Sequence, residues 1–444
     1  MSTDLPLPAP VPERAPKAIG IQRTMRLLAE CSPEDRRRVK ILVYGQSLSK
    51  QKWWEDVATC LRKRYPHADI DIRNRSVGGF SSARLVHAAE QDIYPEYPDL
   101  VIFRVSGDHR RYEDIVRRIR SRTTAEMAIW NTPPSWLPTG ESDDDARMGG
   151  YTWDVACSYE IFPEIARRYG CAFMDIRTEW KDYLHAHGLS PSHFTVSATD
   201  SHLNDAGNWL LARLIERRLV HDPSLGAENT VHEYAVGEDI DWRNDTVELP
   251  FDGNRIDAVT RTPGNGSSRV LIDGRPPSSF RGCYSFSRPN DIAGQDWPWT
   301  VAAMIRVDSE ALPLVETWTI TLTEINNDCT RLRFQLEGSR TGHDGEGCSD
   351  ERFVSGSGRV VIEPDYWWLA QAHALLGTRF EPGNEIQWHV TPHFTDEYQS
   401  PSIVDPAREH TVTLAQGLPN GRHILTLEGR SPIDALRVYC PPVG

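Results

Sequence analysis

Between residues 38 and 220, short apolar runs alternate with segments of helical spacing, and this constrains the fold more than any other feature. The runs 39–44 (VKILVY), 68–72 (ADIDI), 100–105 (LVIFRV), 127–130 (MAIW) and 171–175 (CAFMD) read as strands. Helical spacing occupies 53–65, 82–91, 112–123 and 153–169, and a last helix is expected over about 205–219. Such alternation means β-α-β units and a parallel sheet with helices on both faces. Runs this continuously apolar fit strands buried on both sides.

The pattern changes near residue 222. After a polar connector, the chain becomes short strands divided by Gly, Asn, Asp and Pro, for example at 269–272, 318–322, 331–336, 359–362, 386–390, 411–414 and 423–427. Regular short strands with turn signals predict an antiparallel β-sandwich. A chain of 444 residues admits two or three domains. We therefore expect a mobile Pro-rich leader over 1–20, an α/β catalytic domain over 21–222, a linker over 223–245 and a jelly-roll-like sandwich over 246–444.

Charge narrows the function. The net charge is −14, which argues against nucleic acid bound by phosphate neutralisation and against adsorption to an anionic membrane. No run approaches the length of a membrane span. The N-terminus lacks a basic stretch followed by an apolar one, so it is not read as a secretory signal. The expectation is a cytoplasmic protein, or a secreted one if a signal has been removed. The eight cysteines form no C-x-x-C pair and read as reduced thiols.

The chemistry gathers at strand ends. The first strand runs into Gly45-Gln46-Ser47, which places a serine beyond the carboxyl end of a parallel strand, where such sheets put ligands. By itself this is also ordinary helix-capping chemistry. The second strand leads into Asn74 to Gly79, where a glycine amide can approach an oxyanion; a plain capped turn explains the segment equally well. Before the last helix stands Asp200-Ser201-His202-Leu203-Asn204, a candidate base with a carboxylate two residues away. A solvated surface histidine is the competing reading.

Taken together, these segments resemble the SGNH/GDSL hydrolase superfamily over about 38–220. Gly45-Gln46-Ser47 is similar to its first block, with Gln where Asp is commoner; Gly-Gln-Ser occurs in some of its carbohydrate O-acetylesterases. Asn74 to Gly79 resembles the second block, with Ser76 replacing a glycine. His202-Leu203-Asn204 with Gly207 resembles the last. The resemblance implies a three-layer flavodoxin-like domain, Ser47 as nucleophile, His202 as base and Asp200 as its orienting acid. It further implies an oxyanion held by the amides of Ser47 and Gly79, a saccharide ester as substrate, and no cofactor.

Two positions depart from the family. Its acid usually lies three residues before the histidine, where this chain has Thr199, so a backbone carbonyl orienting His202 is an alternative to Asp200. The third block normally carries an oxyanion-binding Asn, and here Ser106-Gly107-Asp108-His109 follows the third strand. Asp108 must turn away or be protonated, or His109 must donate instead.

Other groups read as structure. Arg110, Arg111, Arg117, Arg118, Arg120 and Arg122 suit a solvated helix with Glu113 and Asp114 as partners. The segment from Asp344 to Asp350 lacks the EF-hand pattern and reads as an acidic hairpin. His389 and His393 have no third metal ligand, so no metal is expected. Trp297, Trp299, Trp367, Trp368 and Trp388 suit sandwich packing better than a sugar platform. Two functions follow: a serine esterase acting on acetylated saccharides, or a decayed hydrolase serving as a carbohydrate-binding or scaffolding module.

Overall fold

The computed structural model describes residues 5–9, 19–134, 155–197, 200–289, 303–377 and 379–443. Trp297, Trp299, Thr199 and the start of the helix expected over 153–169 lie outside them.

The first half forms a parallel sheet from β1 (Arg38–Gly45), β2 (Asp69–Asn74), β3 (Leu100–Arg104), β4 (Glu126–Trp130) and β5 (Ala172–Met174), in the order β2-β1-β3-β4-β5. This is the doubly wound, flavodoxin-like order, whose ligand crevice lies beyond the carboxyl ends of the strands. β1 shows why helices must cover both faces. Val39, Ile41 and Val43 join one buried cluster with α1 (Gln22–Glu30), α3 (Trp53–Arg64), α7 (Ile176–His187) and α8 (Asp205–Glu216). Leu42 and Tyr44 join another with α4 (Ser82–Asp92), α5 (His109–Arg122) and α6 (Phe162–Arg168). The period of two sends alternate side chains into opposite layers.

Helix α5 runs earlier than the expected 112–123 because Asp108 caps it. Tyr112, Ile115, Val116 and Ile119 form its buried stripe. Helices α1 and α7 were not expected. Helix α7 has ordinary end signals: the Asp175 carboxylate accepts from the Thr178 amide, and Gly188 closes it at φ +63°.

The second half is antiparallel throughout its named sheets, the smallest being the pair β13 (Phe353–Val354) and β14 (Val361–Ile362). One sheet, β12-β11-β10-β15-β9, uses β9 (Tyr284–Phe286), β10 (Thr317–Ile325), β11 (Leu332–Gly338), β12 (Gly342–Cys348) and β15 (Glu385–Pro392). The other, β16-β8-β17-β7-β18-β6, uses β6 (Val231–Ala235), β7 (Thr246–Thr260), β8 (Ser267–Ile272), β16 (Glu397–Gln399), β17 (His410–Glu428) and β18 (Ala435–Tyr439). Their buried residues fall in separate clusters, and that of the five-stranded sheet is continuous with the α4/α5 layer of the first half. Strand β6 falls inside the stretch expected to be a linker, because β18 gives it a pairing partner distant in sequence. A short helix, Leu369–Leu376, also interrupts the strand pattern.

Part of the leader lies against the protein: the Tyr183 hydroxyl donates to the Pro6 carbonyl at 2.8 Å, and Arg217 donates to that of Ala9. All eight cysteines are free. No helix among the described residues is long and apolar enough to cross a membrane.

Candidate active site

β1 ends at Gly45 because nothing larger fits. A Cβ there would lie 1.9 Å from the Arg104 carbonyl oxygen on β3. Ser47 opens the four-residue helix α2 (Ser47–Lys50) and is half-buried. Ser49 Oγ donates to the Arg104 carbonyl at 3.0 Å, and Asn74 Nδ2 donates to the Ser49 carbonyl at 2.8 Å. Helix α2 is thereby pinned to the ends of β3 and β2. Gln46 Oε1 accepts from the Ser106 amide at 3.2 Å, which ties the first motif to the third.

After β2, the Val77 amide donates to the Gly45 carbonyl at 2.9 Å. The Phe80 amide then donates to the Val77 carbonyl at 3.3 Å, closing a turn over Gly78 and Gly79. Gly79 is its third residue at φ +77°, where such turns need a positive φ. Among the described residues, neither the Ser47 nor the Gly79 amide has a hydrogen-bond acceptor.

At the far side of the sheet edge, Asp200 Oδ1 accepts from the His202 amide at 2.9 Å and lies 2.6 Å from His202 Nδ1. A carboxylate two residues away therefore does reach the ring. The His202 amide first, and then the ring, hold the Asp200 carboxyl below its ordinary range. An ionised carboxylate can only accept, so Nδ1 carries the proton and the lone pair is left on Nε2. Asn204 Oδ1 caps α8 through the Gly207 amide at 3.0 Å. Its Nδ2 donates to the carbonyls of His193 and Thr195 at 2.9 and 3.1 Å.

Gln51, four residues after Ser47, grips the residue that follows His202. Its Nε2 donates to the Leu203 carbonyl at 2.9 Å, and its Oε1 accepts from the Leu203 amide at 3.1 Å. Ser47 and His202 thus occupy segments locked to each other. No hydrogen bond joins the two side chains themselves. In substrate-free sites such bonds are commonly long.

Asp108 does not point at an oxyanion. Its carboxylate accepts from the amides of Arg110 and Arg111 at 2.8 and 3.0 Å, capping α5. Those bonds, the Arg111 amide foremost, hold its carboxyl below the ordinary range, so protonation is not the way out. His109 is the first residue of that helix and half-buried. Asp108→Ala is expected to lower the thermal midpoint, as loss of a cap does. A calorimetric scan checks it.

Gln46, which the sequence marks only as part of the first block, and two residues that it does not flag complete the site: Gln46 and Gln51 through their bridges, and Arg104 within an apolar strand. Buried Arg104 donates from Nη2 to Ser106 Oγ and Thr132 Oγ1 at 2.7 and 2.6 Å, cross-linking the ends of β3 and β4. The second half also reaches this edge. Arg288 pairs with Asp92 through Nε and donates from Nη2 to the Arg75 carbonyl at 2.6 Å. Trp368 packs on Phe80 with ring centroids 4.5 Å apart, and Arg84 lies 5.4 Å over the same tryptophan.

The remaining groups are structural. Arg117 pairs with Asp114 at 3.3 Å, Arg122 pairs with Glu90 at 2.6 Å, and buried Arg120 pairs with Glu228. Asp344 accepts from Ser357 Oγ at 2.6 Å, and Asp350 pairs with Arg331 at 2.8 Å. His389 Nδ1 lies 2.8 Å from Thr317 Oγ1, and His393 Nε2 lies 2.5 Å from Ser285 Oγ, so the two histidines serve different partners. Trp367, Trp368 and Trp388 are buried in the core.

No protein-family model matches the chain. No curated protein matches it either. Among solved structures it is similar to a two-domain esterase active on acetylated mannans, co-crystallised with mannopentaose, at 12% identity over 96% of each chain and a TM-score of 0.35. It is similar to Axe2, an acetylxylan esterase from Geobacillus stearothermophilus, at 17% identity over 41% of this chain and 95% of that one, with a TM-score of 0.35. It is also similar to a putative GDSL-like lipase from Parabacteroides merdae, at 14% identity over 41% and 97%, with a TM-score of 0.33. Strand order and register, rather than these likenesses, define the fold described above.

Proposed function

We propose that the protein is a serine ester hydrolase acting on acetyl esters of saccharides. The observation that carries this reading is the 2.6 Å contact between Asp200 Oδ1 and His202 Nδ1, on a segment locked by Gln51 to the one that presents Ser47. In the reaction, Ser47 Oγ attacks the ester carbonyl and passes its proton to His202 Nε2. Asp200 holds the tautomer and faces the imidazolium that forms. The unpaired amides of Ser47 and Gly79 receive the developing oxyanion. Collapse expels the sugar alkoxide, which takes the proton from His202. Water activated by the same histidine then releases acetate. The choice of an acetylated saccharide rests on the sequence resemblance at Gly45-Gln46-Ser47.

Acetate release from acetylated manno- and xylo-oligosaccharides, with labelling of Ser47 by a serine-directed phosphonate, tests the reading. Labelling at another residue would sink the assignment. Asp200→Asn is expected to lower kcat by about 10²–10⁴-fold, because the amide favours the wrong tautomer. A loss under about tenfold would give the orienting role to a backbone group instead.

The missing Ser47–His202 bond and the capping role of Asp108 favour a second reading, a saccharide-binding module derived from a hydrolase. Background-level rates on both aryl acetate and acetylated oligosaccharides would select it.

A further inference from the structure

The amino ends of β1 and β3 lie on the edge of the parallel sheet opposite the candidate active site. Lys40 stands five residues before Gly45 on β1, about 16 Å at 3.3 Å per residue. It lines a cavity of about 750 Å³ between the two halves of the chain. Arg26 and Arg38 reach the same wall from α1 and β1; Arg255, Arg408 and Arg437 reach it from the second half. This volume falls within the range of small-molecule sites.

The wall carries eight arginine and lysine side chains against five aspartates and glutamates, in a chain whose net charge is −14. All five carboxylates are taken. Asp99 meets Arg23 at 3.5 Å, Asp257 meets Arg255 at 2.7 Å, and Glu228 pairs with buried Arg120. Arg437 holds both Glu233 and Glu409 at 2.7 Å. Positive charge is left over.

Lys40 is partly buried and has no carboxylate within ion-pair distance among the described residues; its Nζ donates to the Glu96 carbonyl at 3.1 Å. Burial, and then Arg255 nearby, push its ammonium group below the ordinary lysine range. A cation drawn out of water without a counter-charge is costly, and an anion in the cavity would supply one. Arg26 meets Glu30 at 3.8 Å, and Arg38 shares Asp71 with Arg73. Exposed pairs of this kind hold their arginines weakly, so both guanidinium groups can turn to a ligand. We propose that this cavity is a second, non-catalytic site for a small multivalent oxyanion, a phosphate ester or a polycarboxylate, held by Lys40, Arg26 and Arg38. The proposal stands apart from the esterase reading, because it uses none of that machinery.

Calorimetric titration of the full chain with pyrophosphate and with citrate tests it, with mannobiose as the neutral probe. At least one anion is expected to bind, more weakly as salt is added, and to raise the thermal midpoint as a ligand of the folded state does. Binding of pyrophosphate alone assigns the phosphate ester, and of citrate alone the polycarboxylate. Lys40→Met keeps most of the stem and removes the unpaired charge, so its midpoint without ligand should equal or exceed the wild type's. Its anion affinity should fall about tenfold or more, the size of a charge-assisted hydrogen bond. Arg38→Gln, at an exposed position, should also weaken binding and gives a second reading of the same site. Arg281 stands exposed at the rim of a neighbouring cavity between the halves, and Arg281→Gln should leave the affinity unchanged. The proposal is overturned if neither anion binds, or if Lys40→Met and Arg38→Gln both bind as the wild type does. It is equally overturned if Arg281→Gln abolishes binding, or if mannobiose binds as tightly as the anions.

Discussion

Ser47→Ala is expected to remove turnover of p-nitrophenyl acetate, by roughly 10⁴-fold or more as for other lost nucleophiles, while the protein stays folded. The geometry makes the two outcomes separable. Ser47 is half-buried, and its side chain bonds to no other described residue, so its loss should change stability by no more than about 0.5 kcal/mol. The bonds that fix helix α2 come from Ser49, Gln51 and Asn74, and all of these survive the substitution. Undiminished hydrolysis in the alanine variant would remove Ser47 from the mechanism. Lost hydrolysis together with a collapsed thermal midpoint would mean that the serine supports the turn rather than the chemistry.

The largest loss of stability is expected from Arg288→Met. Asp92 is fully buried, and its other cation, Arg75, stands 3.6 Å away. Removing Arg288 leaves a poorly compensated carboxylate in the seam between the halves, and breaking such a buried pair costs about 3–5 kcal/mol. Denaturant titration measures that cost. The double variant Arg288→Met with Asp92→Leu should recover much of it, because the uncompensated charge is then gone. If the single variant lost less than about 1 kcal/mol, as exposed pairs do, the pair would not brace the seam. Arg288 also holds the Arg75 carbonyl, which belongs to the loop carrying Gly79. The single variant should therefore lose kcat on aryl acetate beyond what its unfolded fraction explains.

The strands of the parallel sheet were legible because each is a short apolar run or, in β2, an alternating one, whose neighbours are helices. The helix ends were harder. Asp108 looked like a misplaced oxyanion residue because its position matched a family block; as the cap of α5 it is ordinary chemistry. Strand β6 was invisible for a different reason: it is polar and half-exposed, and only its pairing with β18, some 200 residues later, makes it a strand. The same limit hid what the two glutamines of the site do. Gln46 is marked as part of the first block and Gln51 by nothing local, and their partners Ser106 and Leu203 lie far along the chain. The candidate acid was legible in type, and it is the loop folding Asp200 back on His202 that brings it to the imidazole.

That fold-back has a mechanical meaning. Both bonds of Asp200 to His202 close within three residues, one to the main chain and one to the ring. In the proposed mechanism, the base therefore carries its own acid. Gln51 ties the same strip to the segment that presents Ser47. Tautomer and approach are therefore set by one short stretch of chain, and the imidazole does not have to be re-oriented when a substrate arrives.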